Sequence, residues 1–477
     1  RAEFSQTFGH VLLHRGALEA AEQRFRELEE LGRAAERGDW LARGLEHRGR
    51  VAWLRGHLDE ARTLFEQGLE RVPAAERRIA ADLHNGLGNV FYYRGDPDAA
   101  FSHHELALRL RQRLRDRPGI AKSLSNIGNL LLTFRDDPEG ARDHYKRALG
   151  HARAVGDRQL IVLTLNNLGG VANERGEWKT ALKLFEEAVR IQEETGWSFA
   201  GYVALQNRVV AETALGLLGP ALAHARACLE KGDAVLEPMN RVNTRLCLFD
   251  IYLKASMDDA AEQVLAETEK LARDQNVDEQ QEEILMRRGR LLAARGAWRD
   301  AAAAFAAAGD AARRLNHPPV EKLALAHRRR AEARAGTPTL DPQPIELPEG
   351  SPLFALVTYL EADRSSVNDP SPEAAASLGR AGELAARLGE VSLERAAFER
   401  EAELARALGD GEREAAAMSR AARAFERLRR GLPEEIGTAF ASHPRNARLG
   451  SMRTKRASVP TGRDAGGRQG AKGKAVG

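Results

Sequence analysis

Leu165-Asn-Asn-Leu-Gly-Gly-Val-Ala-Asn-Glu-Arg-Gly-Glu-Trp-Lys-Thr-Ala181, with Phe185 four residues on, holds a whole structural unit in outline. Gly169 and Ala181 are small residues twelve apart, and Arg175-Gly176 between them is a turn signal. Small residues let two helices approach closely, the ring of Phe185 fills the gap beside them, and glycine takes the positive-φ position that ends the first helix. The stretch therefore predicts a helix hairpin.

The same pattern returns along the chain. Gly9, Gly49, Gly88, Gly128 and Gly169 open a series that Val209 and Leu248 continue and Gly289 resumes, at a mean interval of 40 residues. Twelve residues after each anchor comes Ala21, Ala61, Ala100, Ala181, Ala221, Ala260 or Ala301, with Ala141 at thirteen. A ring or apolar residue follows at Phe25, Phe65, Tyr145, Phe185, Val264 and Phe305, and turn glycines recur at Gly16, Gly56, Gly95, Gly176 and Gly296. A period of 20–50 residues signals stacked hairpins, each packing on its neighbours, rather than one closed globule.

These residues together resemble the tetratricopeptide repeat (TPR), over residues 2–316 and in eight units. The usual interval in that family is 34 residues. The longer spacing here is similar to the variants found in kinesin light chains and bacterial signalling proteins. The resemblance implies an all-α fold, an α-solenoid wound as a right-handed superhelix. Composition fits: 43% of the 477 residues are hydrophobic but only 26 are aromatic, so alanine and leucine carry the core.

The ninth unit breaks the pattern. Residues 317–335 give a first helix, and Gly336–Gly350, with four prolines, reads as a linker over 336–351 in place of the second. Helical periodicity resumes in Pro352–Asp363, Pro372–Leu388, Val391–Leu408 and Glu412–Arg430, so residues 352–432 read as degenerate hairpins capping the solenoid. Residues 443–477 carry nine basic side chains against Asp464 alone and no aromatic, which predicts a disordered basic tail capable of nonspecific polyanion contact. The longest apolar run, Ala301–Ala308, is far shorter than the roughly 18 residues a membrane span needs, and no signal segment opens the chain. Cys228 and Cys247 are the only cysteines, which excludes a disulfide framework and points to a reducing, cytoplasmic setting. Arginine outnumbers lysine 61 to 11, a hint of a GC-rich genome.

Functional candidates lie on the first helices. Counting each anchor as position 8, positions 2, 5, 6, 9, 12 and 13 share one face. Reading them yields Asn85, Asn89, Tyr92, Asn126, Asn129, Asn166, Asn167, Asn173 and Asn207. Asparagine is a poor helix former, so helix stability does not ask for this row. An amide both donates and accepts, and a row of amides can hold the backbone of an extended peptide. The same residues could instead bond neighbouring helices to one another. TPR proteins hold peptides with concave asparagines, so the resemblance implies a protein–protein interaction scaffold with a peptide or partner protein in its groove. The cationic carboxylate clamp of one TPR subclass is missing, because Leu163 and Asn167 stand where its cations belong. Arg43, Arg50, Arg245, Arg287 and Arg290 could meet an acidic partner or simply form a solvated face.

Catalytic signals are weak. His103-His104-Glu105 lacks a third metal ligand, Gly466–Lys474 misses the phosphate-loop spacing, and Cys228 occupies a buried structural position. Trp178 and Trp298, each following a turn glycine, read as packing residues. No cofactor, metal or catalytic residue is expected. The chain starts at Arg1, on the edge of a repeat, which suggests a piece of a longer protein. Leu428–Phe440 is similar to the closing segment of TPR regions in bacterial serine/threonine kinases and ATPase-type regulators. The alternative reading is therefore the regulatory part of such a signalling protein, with its catalytic domain upstream.

Overall fold

Hairpin geometry follows directly from the repeated small residues. In the computed structural model, a side-chain carbon added at Gly169 would lie 2.4 Å from the ring of Phe185. Gly9 with Phe25, Gly49 with Phe65, Gly128 with Tyr145 and Gly289 with Phe305 repeat that close fit. The structure describes residues 1–232, 236–337, 345, 347, 351 and 353–449, and among them there are 22 α-helices, one short 3-10 turn and no strand.

The first sixteen helices follow the 40-residue period. They are α1 (Ala2–His14), α2 (Leu18–Ala34), α3 (Gly38–Leu54), α4 (Leu58–Arg71), α5 (Arg77–Tyr93), α6 (Pro97–Arg113), α7 (Arg117–Arg135) and α8 (Pro138–Val155), then α9 (Arg158–Glu174), α10 (Trp178–Thr195), α11 (Phe199–Ala214), α12 (Leu218–Gly232), α13 (Pro238–Lys254), α14 (Asp258–Asp274), α15 (Gln281–Ala294) and α16 (Trp298–Arg314). Local chemistry sets their starts. Asp96 and Asp137 cap α6 and α8 by accepting from the backbone N–H of Ala99 and Gly140, each with proline at the first helical position. The chain is all-α, with the helix-on-helix stacking of an α-solenoid.

By contact density the chain divides into two units. The first comprises Arg1–Glu212 and His224–Cys247; the second comprises Thr213–Ala223, Leu248–Leu347 and the described residues from Leu353 onward. In the first, a continuous core runs from Ile120 through Tyr145, Leu165 and Leu205 to Cys228 and Leu236. Cys228 is fully buried there.

The second unit corrects the reading of the sequence in several places. Its seventh-hairpin register is shifted by one: Phe249, Ala261 and Leu265 are fully buried, and Ser256 takes the left-handed turn position seven residues after Phe249. Leu248, Ala260 and Val264 are therefore neighbours of the true register positions. Helix α17 (Pro318–Arg334) has a packing partner after all, because Ala326 shares a core with Ala355, Val357 and Leu360 of α18 (Phe354–Asn368). The linker delays the second helix instead of replacing it; most of residues 336–351 lie outside the described residues.

Helices α19 (Pro372–Leu388) and α20 (Val391–Ala407) keep the hairpin rule closely. A side-chain carbon at Gly382 would fall 2.6 Å from the Phe398 ring, sixteen residues on, and Gly389 has φ +81°. Then come α21 (Gly411–Arg429) and α22 (Glu434–Ser442). The segment expected to be disordered from His443 is packed as far as Leu449, which is 2% exposed beside Phe425, Phe440 and Leu218. Asn446, fully buried, donates to Ser256 Oγ at 3.0 Å and to the Phe440 carbonyl at 2.7 Å, and Arg445 pairs with Asp258. The last segment of this unit thus sits on its first, and Gly219 backs directly onto the Gly431 carbonyl. The remainder of the basic tail, residues 450–477, lies outside the described residues.

Candidate functional site

Four first helices of the first unit, α5, α7, α9 and α11, carry the amide row, and every member of it is half-buried. The 40-residue period places equivalent positions side by side, and the amides meet across the helices. Asn126 Nδ2 donates to Asn85 Oδ1 at 3.1 Å and to Asn89 Oδ1 at 3.3 Å. Asn207 Nδ2 donates to Asn166 Oδ1 at 2.9 Å. Asn129 Oδ1 accepts from Tyr145 OH at 2.5 Å, and Tyr92 OH pairs with Thr133 Oγ1 at 2.9 Å. Amide-to-amide bonds thus join Asn85, Asn89 and Asn126 in one group and Asn166 and Asn207 in another.

Each of these bonds uses only one half of an amide. A carbonyl oxygen accepts twice and an NH2 group donates twice, so the Oδ1 atoms of Asn126 and Asn207 and the Nδ2 atoms of Asn85 and Asn166 retain capacity. The Asn173 oxygen is buried with no hydrogen-bond partner, an arrangement costly enough to draw in a donor.

Arg111 pins the row from behind. Reaching out of α6 and only 4% exposed, it donates to Asn85, Ser123, the Gly119 carbonyl and Asp82. Burial still raises the Asp82 carboxyl above its ordinary range, with Glu46 adding to the rise. Next door, burial works against charge on Glu46, yet His47, Arg50 and Arg43 hold its carboxyl down to about 2. Arg50 also meets His10 at 3.2 Å, so this cation is already engaged. Farther on, Arg287 and Arg290 both bind Asp250, at 2.8 and 2.7 Å, and Arg245 bonds the Arg241 carbonyl.

One element of the face was missed in the sequence. Positions 12 and 13 in consecutive units are Trp53-Leu54, Tyr92-Tyr93 and Leu132-Thr133, followed by Phe134. Their rings form a strip: Trp53 lies 5.7 Å from Tyr93, and Tyr92 5.3 Å from Phe134. Leu54 is 48% and Tyr93 62% exposed. The signal was a column of large side chains, visible only once the units are stacked in register.

His103 and His104 do different work. His103 Nδ1 lies 3.0 Å from His84 Nδ1, with the Phe91 ring stacked on it. His104 fills the ring position opposite Gly88, and burial pushes its imidazole down to about 3. Among the described residues no group of three or more His, Cys, Asp or Glu is placed to hold a metal ion, and no helix is long and apolar enough to cross a membrane.

The sequence profile of the tetratricopeptide repeat family matches residues 79–154 and 131–194, the stretch that carries α5 to α10. Residues 79–194 are therefore tetratricopeptide repeats. Such arrays are protein-interaction scaffolds built around concave surfaces. No curated protein sequence matches the chain. Among solved structures, the chain is similar to a Rap protein complexed with competence and sporulation factor, at 14% identity over 70% of this chain and 98% of that one, TM-score 0.47. It is also similar to a signal-transduction ATPase with a tetratricopeptide repeat sensor from Pyrococcus horikoshii, at 10% identity over 70% of this chain and 43% of that one, TM-score 0.47. A tetratricopeptide repeat protein from Parabacteroides merdae matches at 15% identity over 58% of this chain and 95% of that one, TM-score 0.38.

Proposed function

We propose that the first unit holds an extended peptide or a partner's extended segment along the face formed by α5, α7, α9 and α11. The observation that carries this reading is the amide row with spare donors and acceptors, lying beside the exposed Leu54–Tyr93 strip. Amides serve the ligand backbone irrespective of its sequence, while aromatic rings favour an apolar side chain at one place. The protein acts in this reading as a scaffold, with the chemistry residing in what it binds.

The test is a peptide library displayed against the whole chain, followed by fluorescence polarisation on selected sequences. Tyr93→Ala and Asn167→Ala should each weaken the selected peptide. Peptides that bind with unchanged affinity to the double variant would place the interaction elsewhere on the molecule.

A further inference from the structure

The helices of the first unit do not all begin alike. Helices α1, α2, α3, α4, α6 and α8 carry an acid in their first turn, where the helix dipole favours negative charge. Neither α5 nor α7 has one: α5 opens on Arg77-Arg78 and α7 on Arg117. The turn leading into α7 breaks a second rule. Arg115 sits in the left-handed region at φ 52°, a place that Gly156 takes in the next connection between hairpins and Asn276 and Asn316 in later ones. That conformation suits glycine and asparagine and strains an arginine.

Both departures fall on one edge. Arg111 ties the start of α5 to that of α7, donating to Asp82 at 2.9 Å and to the Gly119 carbonyl at 3.2 Å. Arg78 lies one turn before Asp82, and Arg115 and Arg117 lie just ahead of Gly119. The connections over residues 70–78 and 113–117 thus run side by side and gather Arg71, Arg77, Arg78, Arg113, Arg115 and Arg117, all exposed. Among the described residues, none of the six has an ion-pair partner. The connections on either side neutralise theirs: Arg33 and Arg37 pair with Glu29 and Asp39, and Arg153 and Arg158 with Glu187 and Glu194. Of the three acids between the six arginines, Asp116 accepts from the Gly119 N–H and Glu76 lies within electrostatic reach of Arg37, which leaves Glu70. Local rules broken with no gain to folding mark functional positions.

We propose that this edge of the first unit is a docking surface for an acidic protein segment, a run of Asp and Glu side chains lying across Arg71, Arg77, Arg78, Arg113, Arg115 and Arg117. Guanidinium forks match carboxylates two bonds at a time, and an arriving acid supplies the negative charge that the starts of α5 and α7 lack. The two connections contain no aromatic residue, so the bases of a single nucleic-acid strand would have nothing to stack on. Glu70, Glu76 and Asp116 would repel a uniformly charged phosphate backbone, whereas a protein segment can set neutral side chains opposite them. This surface stands apart from the amide row and does not depend on what that row holds.

Fluorescence polarisation of a labelled oligoglutamate peptide against the full chain, at low ionic strength, tests the surface. Saturable binding that fades with added salt is expected. The triple variant Arg77→Gln, Arg113→Gln and Arg117→Gln should weaken it about tenfold, the worth of three exposed ion pairs together. Replacing Arg453, Arg456 and Arg463 by glutamine removes the same charge from the basic tail and should leave binding nearly unchanged. Arg115→Gly should weaken the peptide while raising the melting temperature, because glycine relieves the left-handed turn; it decides alone if the triple variant does not fold. Unchanged affinity in the folded variants overturns the proposal, as does an equal loss in the tail variant. A short DNA duplex measured in parallel separates the partner classes: a loss in the triple variant larger for DNA than for oligoglutamate would make this a nucleic-acid surface and overturn the assignment.

Discussion

His104 stands where Phe25, Phe65, Tyr145, Phe185 and Phe305 stand in their hairpins, and it is the one ring of that series that can take a proton. Its imidazole is neutral when folded, held down to about 3 by burial first and by Arg111 and His103 next. In the unfolded chain it takes a proton near pH 6.5. Stability is therefore complete above pH 6.5 and is lost as pH falls toward 3. His104→Phe should recover about 2 kcal/mol at pH 5 and almost nothing at pH 8, read from urea unfolding at the two pH values. The amide row separates in the same manner at single positions. Asn167→Ala should cost partner binding about 0.5–1.5 kcal/mol and leave folding nearly unchanged. Asn126→Ala cuts bonds to Asn85 and Asn89, so it should lower the melting temperature as well. An Asn167 variant that melts early without losing the peptide would make the row structural.

Helices show which parts of the fold were legible. Wherever a glycine, a turn and a ring recur at fixed spacing, sequence alone locates the hairpin, because the close approach admits nothing larger. Where a hydrophobic residue replaces glycine, as at Phe249, the register blurs by one. The Gly382–Phe398 hairpin keeps its anchor glycine, its turn glycine Gly389 and its ring, but Glu394 occupies the alanine position, so the full pattern is broken in the sequence. Gly382→Ala should destabilise α19 and α20 by about 1–3 kcal/mol, visible as faster hydrogen exchange in those helices. Position matters equally along α1. Leu87, Ile127 and Leu168 precede their anchor glycines and are at most 6% exposed, whereas Phe8, in the same place, is 38% exposed. Leu87→Ala should cost about 2–5 kcal/mol, and Phe8→Ala less than about 1 kcal/mol, in thermal melts of the full chain.

At the scale of the molecule, circular dichroism should show helix with no appreciable sheet signal. Composition and period sufficed for that. They could not supply the contacts between distant segments, since Arg330 and Arg400 reach Asp363 across 33 and 37 residues and Asn446 reaches Ser256 across 190. That last contact changes how the second unit should fold. An open repeat array can nucleate anywhere and lose its end repeats one at a time. A unit whose final segment is seated on its opening one has a high contact order and acquires its last support only when the chain beyond Gly431 has been made. During synthesis, the hairpins from Asp258 onward must wait, incompletely secured, for some 190 residues to emerge. Once closed, they should exchange their amide hydrogens as one cooperative block, with the protection of α14 rising and falling together with that of α22.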